Sequence, residues 1–211
     1  DDRILLEEPV ISIDLEARVA RTPRREISYD TLISSMPFDR LLRMTGLEHD
    51  PSVFSYNKVL VFNLGFDRKG PEGVNWIYYP SRDLCFYRVG FYDNIFGADR
   101  MSNYVEIGYP ADAVVDAEET HRMRELVLTD LKRCGLVDDH QLVASHSVVL
   151  DPAYVHINQA SISAVAAQKR VLESHGVYSA GRYGSWTYCS IEDNMVEARA
   201  LAERLGGGPP S

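Results

Sequence analysis

Long apolar runs are missing from this sequence, and no stretch approaches the roughly 20 residues that a membrane-spanning helix needs. A membrane partner is therefore not expected. Cysteine is scarce. Cys85, Cys134 and Cys189 form no CxxC or metal-spaced pair, and an odd count argues against a disulfide framework. Reduced thiols in a cytoplasmic protein are the expectation. Basic charge is in deficit, with 22 Lys and Arg against 31 Asp and Glu and a net charge of −9. Such a surface repels phosphate backbones, so no nucleic-acid partner is expected. The GxGxxG and GxxxxGK[ST] nucleotide loops are absent, as are GxSxG and HExxH. His49, His121, His140, His146, His156 and His175 show no metal-ligand spacing and read as solvated or core side chains.

What is present is the balance of a folded domain: 45% apolar and 25% charged residues over 211 positions. That length carries one large domain or two small ones, with a core that needs no staples. The chain opens Asp1-Asp2-Arg3, without Met or a signal-like segment, which reads as a piece of something longer.

Val10 to Leu15 alternates apolar and polar residues, the period of a half-buried strand. Arg18–Arg21 and Glu26–Tyr29 continue it as a β-meander, and Leu32–Pro37 reads as a further short strand stopped by proline. Lys58–Phe66, Trp76–Tyr79, Phe86–Phe91 and Tyr104–Tyr109 are strand-like with short connections, which predicts an antiparallel sheet. A helical period over Glu118–Leu136 puts Met123, Leu126, Val127, Leu131 and Cys134 on one face, with Arg122, Glu125, Asp130 and Lys132 mostly outside it. Val143–Leu150 is a strand leading into Asp151-Pro152. Helices follow over Ile162–His175 and Ser190–Leu205, separated by a short strand at Val177–Ala180. Residues 206–211 read as a disordered tail.

Two clusters could carry chemistry. Gly181-Arg182-Tyr183-Gly184-Ser185-Trp186-Thr187-Tyr188 lies between a strand and a helix, where free backbone N–H groups and the helix dipole favour an anion. Arg182 can grip a phosphate, and Glu192 and Asp193 in the first turn can accept from sugar hydroxyls. A structural glycine turn before a capped helix explains the same residues. The second cluster is Trp76, Tyr78, Tyr87 and Arg88, where tyrosine hydroxyls and one guanidinium make a diphosphate clamp if they share a face. Tyrosine-rich strands are also simply good β-formers.

Taken in order, these residues resemble the C-terminal half of a flavoprotein of the FAD-dependent amine-oxidase-like superfamily. Within it they are most similar to the eukaryotic-type UDP-galactopyranose mutases. The resemblance rests on Trp76-Ile77-Tyr78, Phe86-Tyr87-Arg88, the lone Tyr154, and the turn Gly181 to Tyr188, with Val10–Pro37 matching the segment that re-enters the FAD domain. It implies an α+β fold: a mainly antiparallel substrate domain, plus strand–helix elements of an α/β FAD-binding domain. The implied divisions are 1–45 and 161–205 as FAD-domain elements and 46–160, with helix 118–136, as the substrate domain.

The resemblance also implies roles. Trp76, Tyr78, Arg88, Tyr154 and Tyr188 would hold a nucleotide-diphosphate sugar. Gly181, Arg182, Tyr183, Gly184, Trp186, Asp193 and Asn194 would contact FAD, in its reduced form for mutase chemistry. No residue here acts as nucleophile; ring interconversion in that family runs through a flavin N5–sugar adduct. The family's glycine-rich FAD loop has no counterpart in this chain, so a missing N-terminal FAD domain, in cis or in trans, is an implied partner. The helix start Cys189-Ser190-Ile191-Glu192-Asp193-Asn194 departs from the mutase pattern and leaves sugar and base open. Two other readings stand beside this one: an FAD oxidase or desaturase acting on amines or isoprenoids, and a non-catalytic remnant that binds a partner through an apolar patch near Leu32–Met36 and Val177–Ala180. Homo-oligomerisation is left open.

Overall fold

In the computed structural model of the chain, residues 4–206 are described. Four short strands come first: β1 (Ser12–Asp14), β2 (Val19–Arg21), β3 (Glu26–Ser28) and β4 (Leu32–Ser34). Helix α1 (Phe38–Thr45) and a 3-10 turn at Pro51–Val53 lead to β5 (Tyr56–Phe66). Then come β6 (Trp76–Tyr78), β7 (Arg88–Phe91), α2 (Tyr92–Phe96), β8 (Ser102–Pro110), α3 (Ala117–Arg133) and β9 (Leu142–Val155). The chain ends in α4 (Gln159–Ser174), β10 (Val177–Ser179), the single turn α5 (Gly181–Gly184) and α6 (Ile191–Arg204). The expected tail lies outside the described residues, apart from Gly206.

Two compact units result. One combines the residues up to Ser55 with those from Val155 onward; the other is Tyr56–Tyr154. In the first unit, β1, β2 and β3 form the antiparallel meander that the alternating pattern predicts. β4 pairs in parallel with β10, which lies far away in sequence. Helix α4 opens on a capping box in which Asn158 and Ser161 satisfy each other's backbone N–H groups. Of the apolar patch expected around β4 and β10, Val177 is fully buried, Leu32, Met36, Tyr178 and Ala180 are partly buried, and Ile33 is 60% exposed.

In the second unit, five strands run in the order β6-β7-β8-β5-β9. β5 and β8 pair over nine residues, from Asn57 opposite Pro110 to Gly65 opposite Ser102. Alternation divides the sheet into two faces. Leu60, Phe62, Leu64, Val89, Phe91, Val105 and Ile107 are buried on one face, in a core shared with Met123, Val127 and Leu131 of α3. At about 25 cal/mol per Å² of apolar surface, this burial is the main force holding the unit together.

Helix α3 departs from the sequence reading in two respects. Asp130, expected outside, is 1% exposed, and Leu126, expected on the buried face, is 37% exposed. Asp130 stands one turn from Val127 on the core-facing stripe. Its carboxylate accepts from the Cys85 backbone N–H at 2.9 Å and from Arg133 at 2.6 Å, and those donors make burial tolerable. Strand β9 also runs on through Asp151-Pro152, beyond the expected end at Leu150. It is an edge strand, where a residue without an N–H donor is admitted.

Candidate functional site

The face of the sheet opposite the α3 core carries the aromatic and charged residues. Tyr78 lies opposite Arg88 and Trp76 opposite Gly90 across β6 and β7. Arg88 lies opposite Glu106 and Gly90 opposite Tyr104 across β7 and β8. Residues paired across antiparallel strands share a face. Trp76, Tyr78, Arg88, Tyr104 and Glu106 therefore line up side by side, with Tyr104 and Tyr154 packed on Val59, Val61 and Ala153.

Arg88 is the hub. Its Nη1 donates to the Tyr78 hydroxyl at 3.1 Å, and its Nη2 donates to the Glu106 carboxylate and reaches the Tyr154 hydroxyl at 3.4 Å. Its guanidinium carbon lies 5.6 Å from the Tyr78 ring centre and 5.7 Å from that of Tyr104, within cation–π range. The Tyr87 hydroxyl donates to the second Glu106 oxygen at 2.5 Å. Burial works against the Arg88 charge, but Glu106 and Tyr78 outweigh it and hold the guanidinium pKa above its ordinary value. Burial, followed by the Glu106 carboxylate, pushes the Tyr87 phenol well above the usual tyrosine range.

Two features make this cluster more than a neutralised pair. The Arg88 Nε is buried without a hydrogen-bond partner in the protein, a donor held ready for an acceptor. Tyr78, 59% exposed, accepts from Arg88 and keeps its own hydroxyl hydrogen to donate outward. Trp76, 56% exposed, extends the same surface with an apolar plate.

The other unit holds the turn Gly181 to Tyr188. Gly181 sits at φ +85°, a left-handed conformation natural to glycine. Its backbone N–H donates to Glu197 Oε2 at 2.7 Å, and the Ser185 hydroxyl donates to the other Glu197 oxygen. Lys169 Nζ donates to Ser185 Oγ at 2.8 Å and lies 3.7 Å from Glu197. Burial lowers the Lys169 pKa. Lys169 and Glu197 line a cavity of about 370 Å³ between α4 and α6. Neither was singled out from sequence, and both belong to the girdle that fixes α5.

Arg182 stacks on the Tyr188 ring, 4.6 Å from its centre, and its Nη1 reaches the Cys189 carbonyl at 3.4 Å. Tyr188 is 70% exposed, whereas Trp186 is 3% exposed and packs edge-on against Phe54 with ring centres 5.2 Å apart. Trp186 has φ +48°, a strained conformation for a bulky residue that this packing sustains. Asp193 and Ser190 form the capping box of α6, and Asn194 Nδ2 donates to the Ser190 carbonyl at 2.7 Å. Gly184 allows close packing, since a Cβ there would stand 2.9 Å from Ser179 Oγ.

Of the residues expected at a site, Tyr78, Arg88 and Tyr154 converge, with Trp76 beside them on the face. Gly181, Arg182, Tyr183, Gly184, Trp186, Tyr188, Asp193 and Asn194 gather in the other unit around the start of α6. The donor set there is a cation stacked on an exposed aromatic beside the N-terminus of a 14-residue helix. It fits one edge of a flavin or pyrophosphate. A whole dinucleotide would need a glycine loop that this sequence does not contain. Glu106, Tyr104 and Gly90 were missed. A lone charge inside the otherwise apolar and aromatic run Tyr104-Val105-Glu106-Ile107 was the available signal for Glu106.

No family model matches the chain, and no curated protein matches its sequence. Solved structures do match. A reduced UDP-galactopyranose mutase superposes with a TM-score of 0.81 at 23% identity, over 96% of this chain and 46% of that one. A protein assigned as a protoporphyrinogen oxidase from Exiguobacterium sp. 255-15 gives 0.76 at 16% identity, over 96% and 47%. A fatty acid isomerase from P. acnes that produces CLA gives 0.64 at 13% identity, over 94% and 47%. The likeness is one of fold: the chain has a mixed α+β architecture with antiparallel sheets that recurs in these structures. It spans about half the length of the structures it matches. Among the described residues no helix is long and apolar enough to cross a membrane.

Proposed function

We propose that this chain is the diphosphate-sugar-binding and flavin-contacting portion of a nucleotide-sugar mutase of the flavin-dependent kind. The observation that carries the reading is the convergence of Tyr78, Arg88 and Tyr154 around a guanidinium whose buried Nε has no partner. A diphosphate oxygen offers that nitrogen its acceptor, and the outward hydroxyl hydrogen of Tyr78 offers a second contact without adding charge. Trp76 gives a flat apolar surface for a sugar or base. The likeness in fold to a UDP-galactopyranose mutase supports the same substrate class.

In this reading a reduced flavin, when bound, supplies the nucleophile, and the missing N-terminal domain supplies most of its site. The residues of this chain do the positioning. Arg88 and Tyr78 hold the diphosphate and stabilise the charge that it gains as a leaving group. Arg182 and the start of α6 steady one edge of the cofactor.

The test is titration of UDP-galactose into the chain, followed by NMR shifts of the Tyr78 and Arg88 signals. Saturable binding that is lost in Arg88→Ala supports the reading. Equal affinity in the two proteins overturns it. A second reading, an oxidoreductase acting on an uncharged substrate, is favoured by the Arg88–Glu106 ion pair, which neutralises the surface when no anion is present. It predicts no response to UDP-galactose or to inorganic pyrophosphate.

A further inference from the structure

We propose that Tyr87 is a positioning residue of the Arg88 site: it holds Glu106 away from the Arg88 Nε and so keeps that nitrogen free for a diphosphate oxygen. The proposal rests on the diphosphate reading above and deepens it, by naming what leaves the donor unoccupied.

Regular alternation along a strand would send Tyr87 and Arg88 to opposite faces of the sheet. Phe86 and Val89 do lie in the core shared with α3, and Arg88 stands on the other face opposite Glu106. Tyr87 breaks the alternation. Its ring lies near Gly108, where an added Cβ would stand 3.9 Å from Tyr87 Cε1, and its hydroxyl reaches Glu106. Gly108 and Glu106 are two apart on β8 and share the face that carries Arg88. The cause is in the backbone. Arg88 is the register partner of Glu106, yet the Tyr87 N–H also donates to the Glu106 carbonyl, at 3.1 Å. Two successive residues therefore oppose one, which makes a β-bulge, a device that re-aims side chains.

The bulge divides the carboxylate between two donors. Arg88 Nη2 donates to Glu106 Oε1, and the Tyr87 hydroxyl donates to Oε2. A carboxylate alone with a guanidinium tends to pair through two parallel N–H···O bonds, and Nε with one Nη is a fork that suits it. Glu106 instead makes a single contact with Arg88, because its second oxygen is held. The Arg88 Nε is left as a buried donor without a partner among the described residues. Glu106 is 7% exposed, so the protein rather than bulk water decides where its second oxygen turns. Burial first and Glu106 second raise the Tyr87 phenol well above the usual tyrosine range, which keeps its proton in place as a fixed donor.

The ligand-free chain provides the first test. Tyr87→Phe keeps the ring and releases the second oxygen of Glu106, which should turn to Nε. Heteronuclear NMR should then show the Arg88 Nε–H resonance moved downfield and exchanging more slowly with solvent than in the wild type. A bond that served only to satisfy a buried carboxylate would leave that resonance unchanged, and such a result overturns the proposal. Titration with UDP-galactose is the second arm. Y87F should bind at least roughly tenfold more weakly, since one charged donor is no longer offered to the ligand. Glu106→Gln removes the competing charge, so adding Y87F to that variant should change affinity by less than about twofold. Equal affinity of wild type and Y87F, where Arg88→Ala abolishes binding, overturns the proposal. So does a tenfold loss that persists in the E106Q background. Equal affinity of wild type and R88A overturns the diphosphate reading itself and with it the purpose assigned to Tyr87, whereas the Nε–H comparison in the ligand-free chain is independent of that reading.

Discussion

The ring of Tyr104 fills the space into which a side chain at Gly90 would project: a Cβ there would lie 2.1 Å from the ring carbons Cε1 and Cζ. Gly90 is thus the reason that Tyr104 can lie across the sheet, 5.7 Å beneath the Arg88 guanidinium. Gly90→Ala must displace the ring or the strand. We expect a loss of about 1–3 kcal/mol, the usual cost of overpacking a filled site. Chemical denaturation reads this directly, and an unchanged midpoint would show that Tyr104 moves aside without cost.

Glu106 competes with any anion for Arg88, since its carboxylate already accepts from the guanidinium and from Tyr87. Glu106→Gln keeps an acceptor on the same carbon frame and removes the negative charge. Affinity for UDP-galactose or pyrophosphate should then rise roughly tenfold, as expected for removing a like charge from beside the phosphates in a partly buried setting. Calorimetric titration of the two proteins checks it. Weaker binding by E106Q would mean that Glu106 chiefly holds Arg88 in place.

The Tyr78–Arg88 relation was legible in sequence, because two strands joined by one loop and a period of two leave few registers. The Glu106 contact was not. It depends on which strand lies on the other side of β7, and β8 is set there by long-range pairing rather than by any local signal. The same holds for β4 and β10, each recognisable as a short strand but parallel partners only because the chain returns after more than a hundred residues. Asp130 was misjudged for a different reason. Its acidic type pointed outward, yet its position seven residues after Met123 and three after Val127 places it on the buried stripe, and the Cys85 N–H that makes it tolerable lies on a distant loop.

That buried carboxylate yields its own prediction. Asp130→Ala leaves the Cys85 N–H without its acceptor inside the protein, and Arg133 without its ion-pair partner. A loss of about 1–3 kcal/mol is expected from the unsatisfied donor. Asp130→Asn, which retains one carbonyl oxygen, should recover part of it. With Asp130 removed, the Cys85 thiol should also ionise more readily, because burial and then the neighbouring carboxylate now push its pKa up to about 12. Alkylation of Cys85 as a function of pH, followed by mass spectrometry, separates this electrostatic effect from a general loosening of the fold.

Glu119 ties the start of α3 to the sheet. Its carboxylate accepts from Arg122 Nε at 2.7 Å and Nη2 at 2.8 Å, and from the Tyr109 hydroxyl at 2.7 Å. Arg122 first and Tyr109 second lower its pKa from 4.5 to about 2. A folded-state pKa below the unfolded one means that the unfolded chain binds the proton more readily, so this group stabilises the fold above pH 4.5. The contribution is lost progressively as pH falls from there toward about 2. The wild-type denaturation midpoint should therefore drop across that window by more than that of Glu119→Gln, whose side chain does not titrate. The exposed setting and salt screening keep the difference small, and it should shrink further at high ionic strength. Parallel slopes for the two proteins at low salt would show that the Arg122–Glu119–Tyr109 link adds nothing to acid resistance.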